Sequence, residues 1–363
     1  MDDAIDMAAQ ACKRGQPVAL ASLVESSGSI PMSTRAKMAI FADGTTAGTI
    51  GGGCLEAEII AVGRQVMATG SAHTTRYTMT EKQAGESGLN CGGTVRIYTE
   101  PVIGADGAVI VELARARRER AACALVSVLS DGAPPGPRAL YLQGGRACPA
   151  FGDPLLDRQA RAVAEGALES ERAVLFAAPA AGVPEVFAEP FLPAPVLYVF
   201  GGGHVGAQIG HLASGVGFRV VVVDDRPLFA SPERHPEVDE CVAIPMEGAF
   251  ERLAVDERTY IVAATRGHQH DEIVVEQAIR TPARYIGMLG SERKKLLLWE
   301  RIAARGGSRE RLAQVYAPLG LNIGADTPEE IAVSVVAELI EVRRGARHPW
   351  STKAAAGPLA RSG

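Results

Sequence analysis

Residues Val196 to Asp225, VLYVFGGGHVGAQIGHLASGVGFRVVVVDD, constrain the fold more than any other stretch of this chain. An apolar run, Val196 to Phe200, leads into three glycines and a helical pattern. A second apolar run, Val220 to Val223, ends in Asp224 and Asp225. The order is strand, tight turn, helix, strand. Gly201, Gly203 and Gly206 fit the GxGxxG spacing, with glycines where the backbone must turn tightly and approach a pyrophosphate. Asp224 lies near the position of an acid that holds a ribose hydroxyl. Taken by itself, the stretch predicts a nucleotide-binding βαβ unit.

The chain beyond it keeps alternating. Strands are expected at Glu240 to Ile244, Tyr260 to Thr265 and Tyr285 to Leu289, with helices near Glu247 to Leu253, Asp271 to Arg280 and Ser291 to Arg305. Such alternation implies right-handed crossovers and a parallel sheet covered on both faces, a Rossmann-like doubly wound domain over 196–345. Its last helix carries strong local signals. Thr327 and Glu330 form a capping box around Pro328, Ile331, Val335, Leu339 and Val342 make one face, and Arg343, Arg344 and Gly345 close the end. Residues 346–363, rich in Ala, Gly and Pro, are expected as a loose tail.

A length of 363 residues exceeds what one hydrophobic core usually serves, so two domains are expected in an α/β protein. The proline-rich PFLPAP, Pro190 to Pro195, is the candidate linker, which leaves an N-terminal α+β domain over 1–189. Strands are expected there at Val18 to Glu25, Ala36 to Phe41 and Thr45 to Ile50. Leu55, Ile59, Val62, Val66 and Met67 then fall at helical spacing up to Gly70. Gly51 to Cys54 therefore sit where a strand hands over to a helix N-terminus. Free amides and the helix dipole at such a turn suit an anion, and a thiol there is biased towards thiolate. A tight packing turn around a small buried cysteine fits the same residues, and both readings stay open. A second glycine-flanked thiol, Cys91 in GLNCGG, would converge on the same ligand if both loops lie at one end of the sheet.

A formal net charge of -5 and the absence of a long Lys/Arg block argue against nucleic acid as a partner. The acidic start and the lack of an apolar run of spanning length lead us to expect a cytoplasmic protein without a membrane span. Six scattered cysteines without a CxxC pair argue against a disulfide framework or a structural zinc site. In an open parallel sheet the ligand lies outside the carboxyl ends of the strands, which singles out GGGH (Gly201 to His204), DDRP (Asp224 to Pro227), TRGHQHD (Thr265 to Asp271) and GSERK (Gly290 to Lys294). Arg226, Arg266, Arg293 and Lys294 could hold anionic groups there, and Ser291 could cap its helix while facing a phosphate. His268, His270 and Asp271 have a spacing seen at metal sites, but no partner motif accompanies them.

GTIGGGCLEAEII (Gly48 to Ile60), the upstream GSIP and AKM (Gly28 to Met38), CGGTVRIYTEP (Cys91 to Pro101), YVFGGGHVG with VVVDDR, TRGHQHDE, YIGMLGSERK and APLGLNIGADTPEEIAVSVVAELI together resemble the XdhC/CoxI family. Its members are accessory proteins that mature xanthine dehydrogenase and related molybdenum hydroxylases, and the resemblance runs over residues 5 to 345. It implies a chaperone, rather than an enzyme with turnover of its own, that binds the molybdenum cofactor (molybdopterin, plain or in a dinucleotide form). Such a protein would protect the cofactor while a cysteine desulfurase replaces an oxo ligand by sulfur. It would then deliver it to a molybdenum hydroxylase client of the xanthine dehydrogenase, aldehyde oxidase or CO dehydrogenase type.

Carried over residue by residue, Gly51, Gly52, Gly53, Cys54 and Glu56 match the family's N-terminal signature, and Gly201, Gly203, His204, Gly206 and Asp224 its nucleotide-fold signature. Lys37, Cys91 and Ser291 complete the expected cofactor-binding set, with Cys54 as the thiol that would contact molybdenum. The segment MSTRAKM departs from the more usual arginine and glycine of that loop, which bears on how Arg35 and Lys37 engage a ligand. The resulting picture is a two-domain clamp, GGGHVG taking the phosphate or nucleotide end and GGGCLE the metal end, with a homodimer as one way of assembling the site. The alternative is an NAD(P)-dependent oxidoreductase in which Asp224 holds the ribose. It lacks an evident acid-base pair, since the N-terminal half contains one histidine, His73.

Overall fold

A computed structural model describes residues 3–30, 32–33, 35–78, 93–143, 147–148, 150–177 and 184–345. The chain divides into two compact units, Met1–Pro193 and Ala194–Gly363. The architecture is mixed α/β, antiparallel in the first unit and parallel in the second.

The first unit runs α1 (Ala4–Lys13), β1 (Val18–Ser27), β2 (Lys37–Phe41), β3 (Thr46–Thr49), α2 (Gly53–Thr69), β4 (His73–Thr78), β5 (Thr94–Pro101), α3 (Ala105–Arg118), β6 (Cys123–Leu129), β7 (Arg138–Leu142), β8 (Ala147–Cys148), α4 (Pro154–Ser170), β9 (Val174–Phe176) and β10 (Glu185–Phe191). Two five-stranded sheets result, ordered β3-β2-β1-β5-β4 and β8-β7-β6-β10-β9. Strand β1 explains why VALASLV is apolar without alternation: both of its faces are buried. Ala19, Ala21 and Leu23 pack with Leu55, Ile59 and Val66 of α2, whereas Val18 and Leu20 join α1, α3 and Leu125 and Leu140 of the second sheet. On the far face of that sheet, Ala160, Val163, Ala164 and Ala167 of α4 cover Val126, Ala139 and Val186. Helix α2 lies close to its sheet because Gly63 has no side chain; a Cβ there would come within 2.4 Å of Ile40 Cδ1.

The second unit runs β11 (Val196–Phe200), α5 (His204–Gly215), β12 (Arg219–Asp224), β13 (Glu240–Ala243), β14 (Tyr260–Ala263), α6 (His268–Ala278), β15 (Tyr285–Met288), α7 (Glu292–Ala304), α8 (Arg309–Ala313) and α9 (Pro328–Arg344). Its five parallel strands are ordered β13-β12-β11-β14-β15, so the order reverses between β11 and β14. Each strand alternates sides, as a sheet covered on both faces requires. Tyr198, Phe200, Val221, Val223 and Ile261 face α6 and α7; Leu197, Val199, Val220, Val222 and Val262 face α5 and α9. The capping box of Thr327 and Glu330 is present and Gly345, at φ 61°, ends α9. The helix expected near Glu247 to Leu253 is a single 3-10 turn, Ala249–Glu251, entered through Gly248 at φ 69°. Helix α8, capped by Ser308, has too short an apolar pattern to be read from sequence.

Candidate functional site

The first candidate locus lies where β3 hands over to α2. Gly51, Gly52 and Gly53 have φ of 119°, 81° and 66°, a left-handed run that side chains oppose, so glycine is needed for the path itself. A Cβ on Gly51 would also approach Met32 Cε to 2.6 Å, whereas one on Gly52 would meet nothing within 4 Å. Cys54 follows in the first turn of α2 as an exposed free thiol.

Glu56, in the same first turn of α2, reaches back to the end of β3. Its Oε1 accepts from Thr49 Oγ1 at 2.5 Å and from the Ile50 amide at 3.0 Å. Partial burial works to raise this carboxyl, but donation from Thr49 and from the amides of Ile50, Gly52 and Gly51 outweighs it and holds the group below its ordinary range. An anion therefore does occupy this glycine turn, and it belongs to the chain. Glu56, expected as a ligand contact, is bonded within the chain to Thr49 and Ile50, at the turn that leads to Cys54.

Lys37 also has a different task. Opposite Thr49 across the β2–β3 pair, it sends its Nζ between the two sheets, 2.9 Å from Glu189 Oε2 and 2.5 Å from Ser22 Oγ. Both side chains of the ion pair are 8% exposed. A buried ammonium needs a counter-ion, and Glu189 supplies it. The cavity beside it, lined by Ser22, Lys37, Tyr98, Glu100, Ser127 and Glu189, measures about 10 Å³, room for a water and no more. Strands β4 and β5 pair Thr78 with Thr94, next to Ser27 at the end of β1. Cys91, in the connection between them, lies outside the described residues.

The second locus is the carboxyl edge of the parallel sheet at its switch point. A Cβ on Gly201 would come within 2.2 Å of Ala264 O, on Gly202 within 1.9 Å of Phe229 O and on Gly206 within 1.9 Å of Gly201 O. These three let strand, turn and helix touch. Gly203 is the open one: it has nothing within 4 Å of a Cβ position and caps α5 without a side-chain bond. His204, the first residue of α5, is exposed. Sequence reasoning passed over Gly202, although the triplet itself was a signal that an extra close approach was needed.

Asp224 closes β12 just behind that turn, its side chain 2% exposed. Oδ2 accepts from the Gly202 amide at 2.9 Å and Arg226 Nη2 at 3.0 Å; Oδ1 accepts from the Arg226 amide at 3.0 Å and Nε at 2.9 Å. Burial pushes this carboxyl up, but the Arg226 side chain and the Gly202 and Arg226 amides overcome it, leaving the group below its ordinary value. The acid expected to hold a ribose is occupied by the chain's own donors. The Arg226 guanidinium lies 3.6 Å from the Phe229 ring centroid, and Arg234, 4.6 Å from the same ring, donates from Nε to Gly202 O at 3.0 Å.

Along the same edge Asp271 is buried and accepts from the Thr265 amide (3.0 Å), Thr265 Oγ1 (2.7 Å) and Lys294 Nζ (2.5 Å). Ser291 caps α7, accepting from the Lys294 amide at 3.3 Å. Arg266 Nη2 donates to Asp225 Oδ2 at 2.7 Å and lies 3.1 Å from His270 Nε2. The His268, His270 and Asp271 triplet is thus split between an exposed ring, a ring beside a guanidinium and a buried brace. Among the described residues no group of three His, Cys, Asp or Glu side chains is placed to hold a metal ion. None of their helices is long and apolar enough to cross a membrane.

Comparison with known proteins gives these loci a context. Residues 11–78, which include the first glycine turn, match the family described as XdhC and CoxI. Residues 197–339 match the XdhC Rossmann domain. The chain is 34% identical over 160 residues to a Bacillus subtilis protein named as a probable xanthine dehydrogenase subunit, covering 44% of this chain and 46% of that one. It therefore spans less than half the length of that relative. It is 22% identical over 336 residues to the molybdenum cofactor insertion chaperone PaoD of Escherichia coli, covering 93% and 86% of the two chains. The fold is shared with a crystal structure described as a xanthine dehydrogenase from Bacillus halodurans, at a TM-score of 0.76 and 24% identity over 97% of this chain and 100% of the other.

Proposed function

We propose that this chain, which belongs to the XdhC and CoxI family, is an accessory protein that carries the molybdenum cofactor to a xanthine dehydrogenase-type client. The cofactor is its cargo. The observation that carries the reading is the exposed Cys54 thiol on a turn of three left-handed glycines, whose entry at Ile50 is bonded to Glu56. An exposed soft sulfur donor fits a metal-bearing pterin dithiolene better than it fits a carbonyl substrate. Glu56 takes the Ile50 amide of that turn, and the start of α5, which Gly203 leaves open in the second unit, is a separate place for a phosphate or nucleotide group. Relatives named as an insertion chaperone and as part of a xanthine dehydrogenase support this role.

The finer parts of the proposal are that a cysteine desulfurase works on the cargo while it is held, that the protein acts in the cytoplasm, and that it works as a homodimer. The test is purification from cells that make the cofactor, followed by assay of pterin and molybdenum per chain, for the wild type, Cys54→Ala and Cys54→Ser. Retention by the wild type and loss of molybdenum in both variants, with folding preserved, is the expected result. Stoichiometric NAD(H) without pterin would overturn the proposal in favour of an NAD(P)-dependent oxidoreductase. The filled acceptors of Asp224 speak against that alternative.

A further inference from the structure

The two sheets of the first unit meet over a layer of charge. Ser22 of β1 stands opposite Tyr98 of β5, two residues from Glu100, and Ser127 of β6 stands opposite Phe187 of β10, two residues from Glu189. A strand period of two puts each set on one inner face. Two ion pairs cross from sheet to sheet, Lys37 of β2 to Glu189 and Arg138 of β7 to Glu100, so the fixed charges balance.

Within this layer each carboxylate keeps an oxygen that accepts no hydrogen bond. Glu100, its side chain 4% exposed, pairs with Arg138 through Oε1 and has no hydrogen-bond partner at Oε2. Glu189 Oε2 lies 2.9 Å from Lys37 Nζ but out of line for a hydrogen bond. Buried oxygens in that state are costly. Both residues border the cavity of about 10 Å³ between the sheets. Hydroxyl donors border it too: Ser22 accepts from Lys37 at 2.5 Å, which leaves its own proton to be placed, and Ser127 stands on the facing wall.

We propose that this cavity is a binding site for a single water molecule, which donates to Glu100 Oε2 and Glu189 Oε2, accepts from the serine hydroxyls, and so joins the two sheets. Four polar partners and a volume near one probe sphere are what a buried water requires. An ion fits less well. Lys37 and Arg138 already offset Glu100 and Glu189, so an added cation or anion would leave net charge buried. Burial pushes the Glu100 carboxyl up against the pull of Arg138 and Lys37. A water can donate to the ionised carboxyl or accept from the protonated one, whereas an ion suits only one of the two. The site goes beyond the cargo reading, and neither depends on the other.

The test is a crystal structure of the full chain, at a resolution where buried waters are seen, for the wild type, Ser127→Ala and Ser127→Val. The wild type should show one density peak in this cavity, within hydrogen-bond distance of Glu100 Oε2. Ser127→Ala removes one donor and should keep the peak, whereas Ser127→Val fills the space with methyl groups and should lose it. In solution, magnetic relaxation dispersion of the water oxygen should count one long-lived water fewer for the valine variant than for the alanine variant. No peak in the wild type overturns the inference, as does a peak that survives in Ser127→Val or an equal count for the two variants. Wild-type crystals soaked in rubidium bromide identify the ligand: silence of both anomalous scatterers in the cavity supports water, and a signal from either ion overturns it. If the valine variant does not fold, the wild-type crystals still decide.

Discussion

The Ile50 amide donates to Glu56 Oε1 at 3.0 Å, closing the left-handed glycine turn on a side chain from the helix that the turn begins. Glu56→Ala should loosen this turn at a cost of about 1 kcal/mol, modest because the carboxylate is largely solvated. The contribution depends on pH with a definite sign. The folded group lies below its ordinary value, so its stabilisation is in place above the unfolded value of about 4.3 and is lost as pH falls through the lower folded value. Thermal unfolding from pH 3 to 6 should show a difference between wild type and Glu56→Gln that shrinks towards the acid end. A constant difference would remove the charge from the account.

Thiol labelling should separate Cys54 from its neighbours in sequence. Cys123 is buried and burial pushes its thiol up to about 11, and Cys12 and Cys241 are raised for the same reason. Brief alkylation of the native protein at pH 7.5, read by peptide mass spectrometry, should modify Cys54 well before these three. Equal rates at Cys54 and Cys123 would mean that the turn is not presented as described.

The pair of Lys37 and Glu189 should behave as a buried ion pair. Lys37→Met leaves Glu189 without its counter-ion and should cost about 3–5 kcal/mol. Adding Glu189→Leu should recover most of that loss, since two apolar groups can replace a buried pair. Urea denaturation of both variants supplies the comparison, and additive losses would contradict it.

Glycines of the second turn should differ sharply. Gly202→Ala and Gly206→Ala drive a Cβ into backbone oxygens and should lower the melting temperature by several degrees, about 2–3 kcal/mol of strain. Gly203→Ala meets nothing at φ -74° and should fold normally, while crowding whatever binds above α5. Melting curves for the three variants decide this.

Within the second unit, Tyr285 donates to Glu338 Oε1 at 2.6 Å and the Gly320 amide donates to the same oxygen at 2.9 Å, all of it buried. Glu338→Ala should cost about 2–4 kcal/mol by depriving both donors of this acceptor, whereas Glu338→Gln, which keeps an acceptor, should cost less than half as much. Unfolding in urea checks the ordering.

Legibility in the sequence followed the range of the interactions. The βαβ unit, the parallel sheet and the capping box at Thr327 were readable because periodicity, glycine and caps act over a few residues. The two sheets of the first unit were not readable as two. Strand β1 pairs with β5 across a long stretch of chain, and its doubly buried apolar run carries no alternation to show which face meets what. For the sites, residue types pointed to the right turns, but the partners of Glu56, Lys37 and Asp224 did not follow from them.

By its local chemistry the sequence determined where backbone must turn left-handed, where helices begin, and that a thiol stands at Cys54 beside three glycines. Only the tertiary structure decided which of the chemically capable groups remain available. A carboxylate or ammonium has a fixed number of hydrogen-bond sites, and whether protein or ligand fills them depends on groups brought together by folding: Glu189 for Lys37, Gly202 and Arg226 for Asp224. Those partners were visible as letters and became constraints once packing set them within 3 Å.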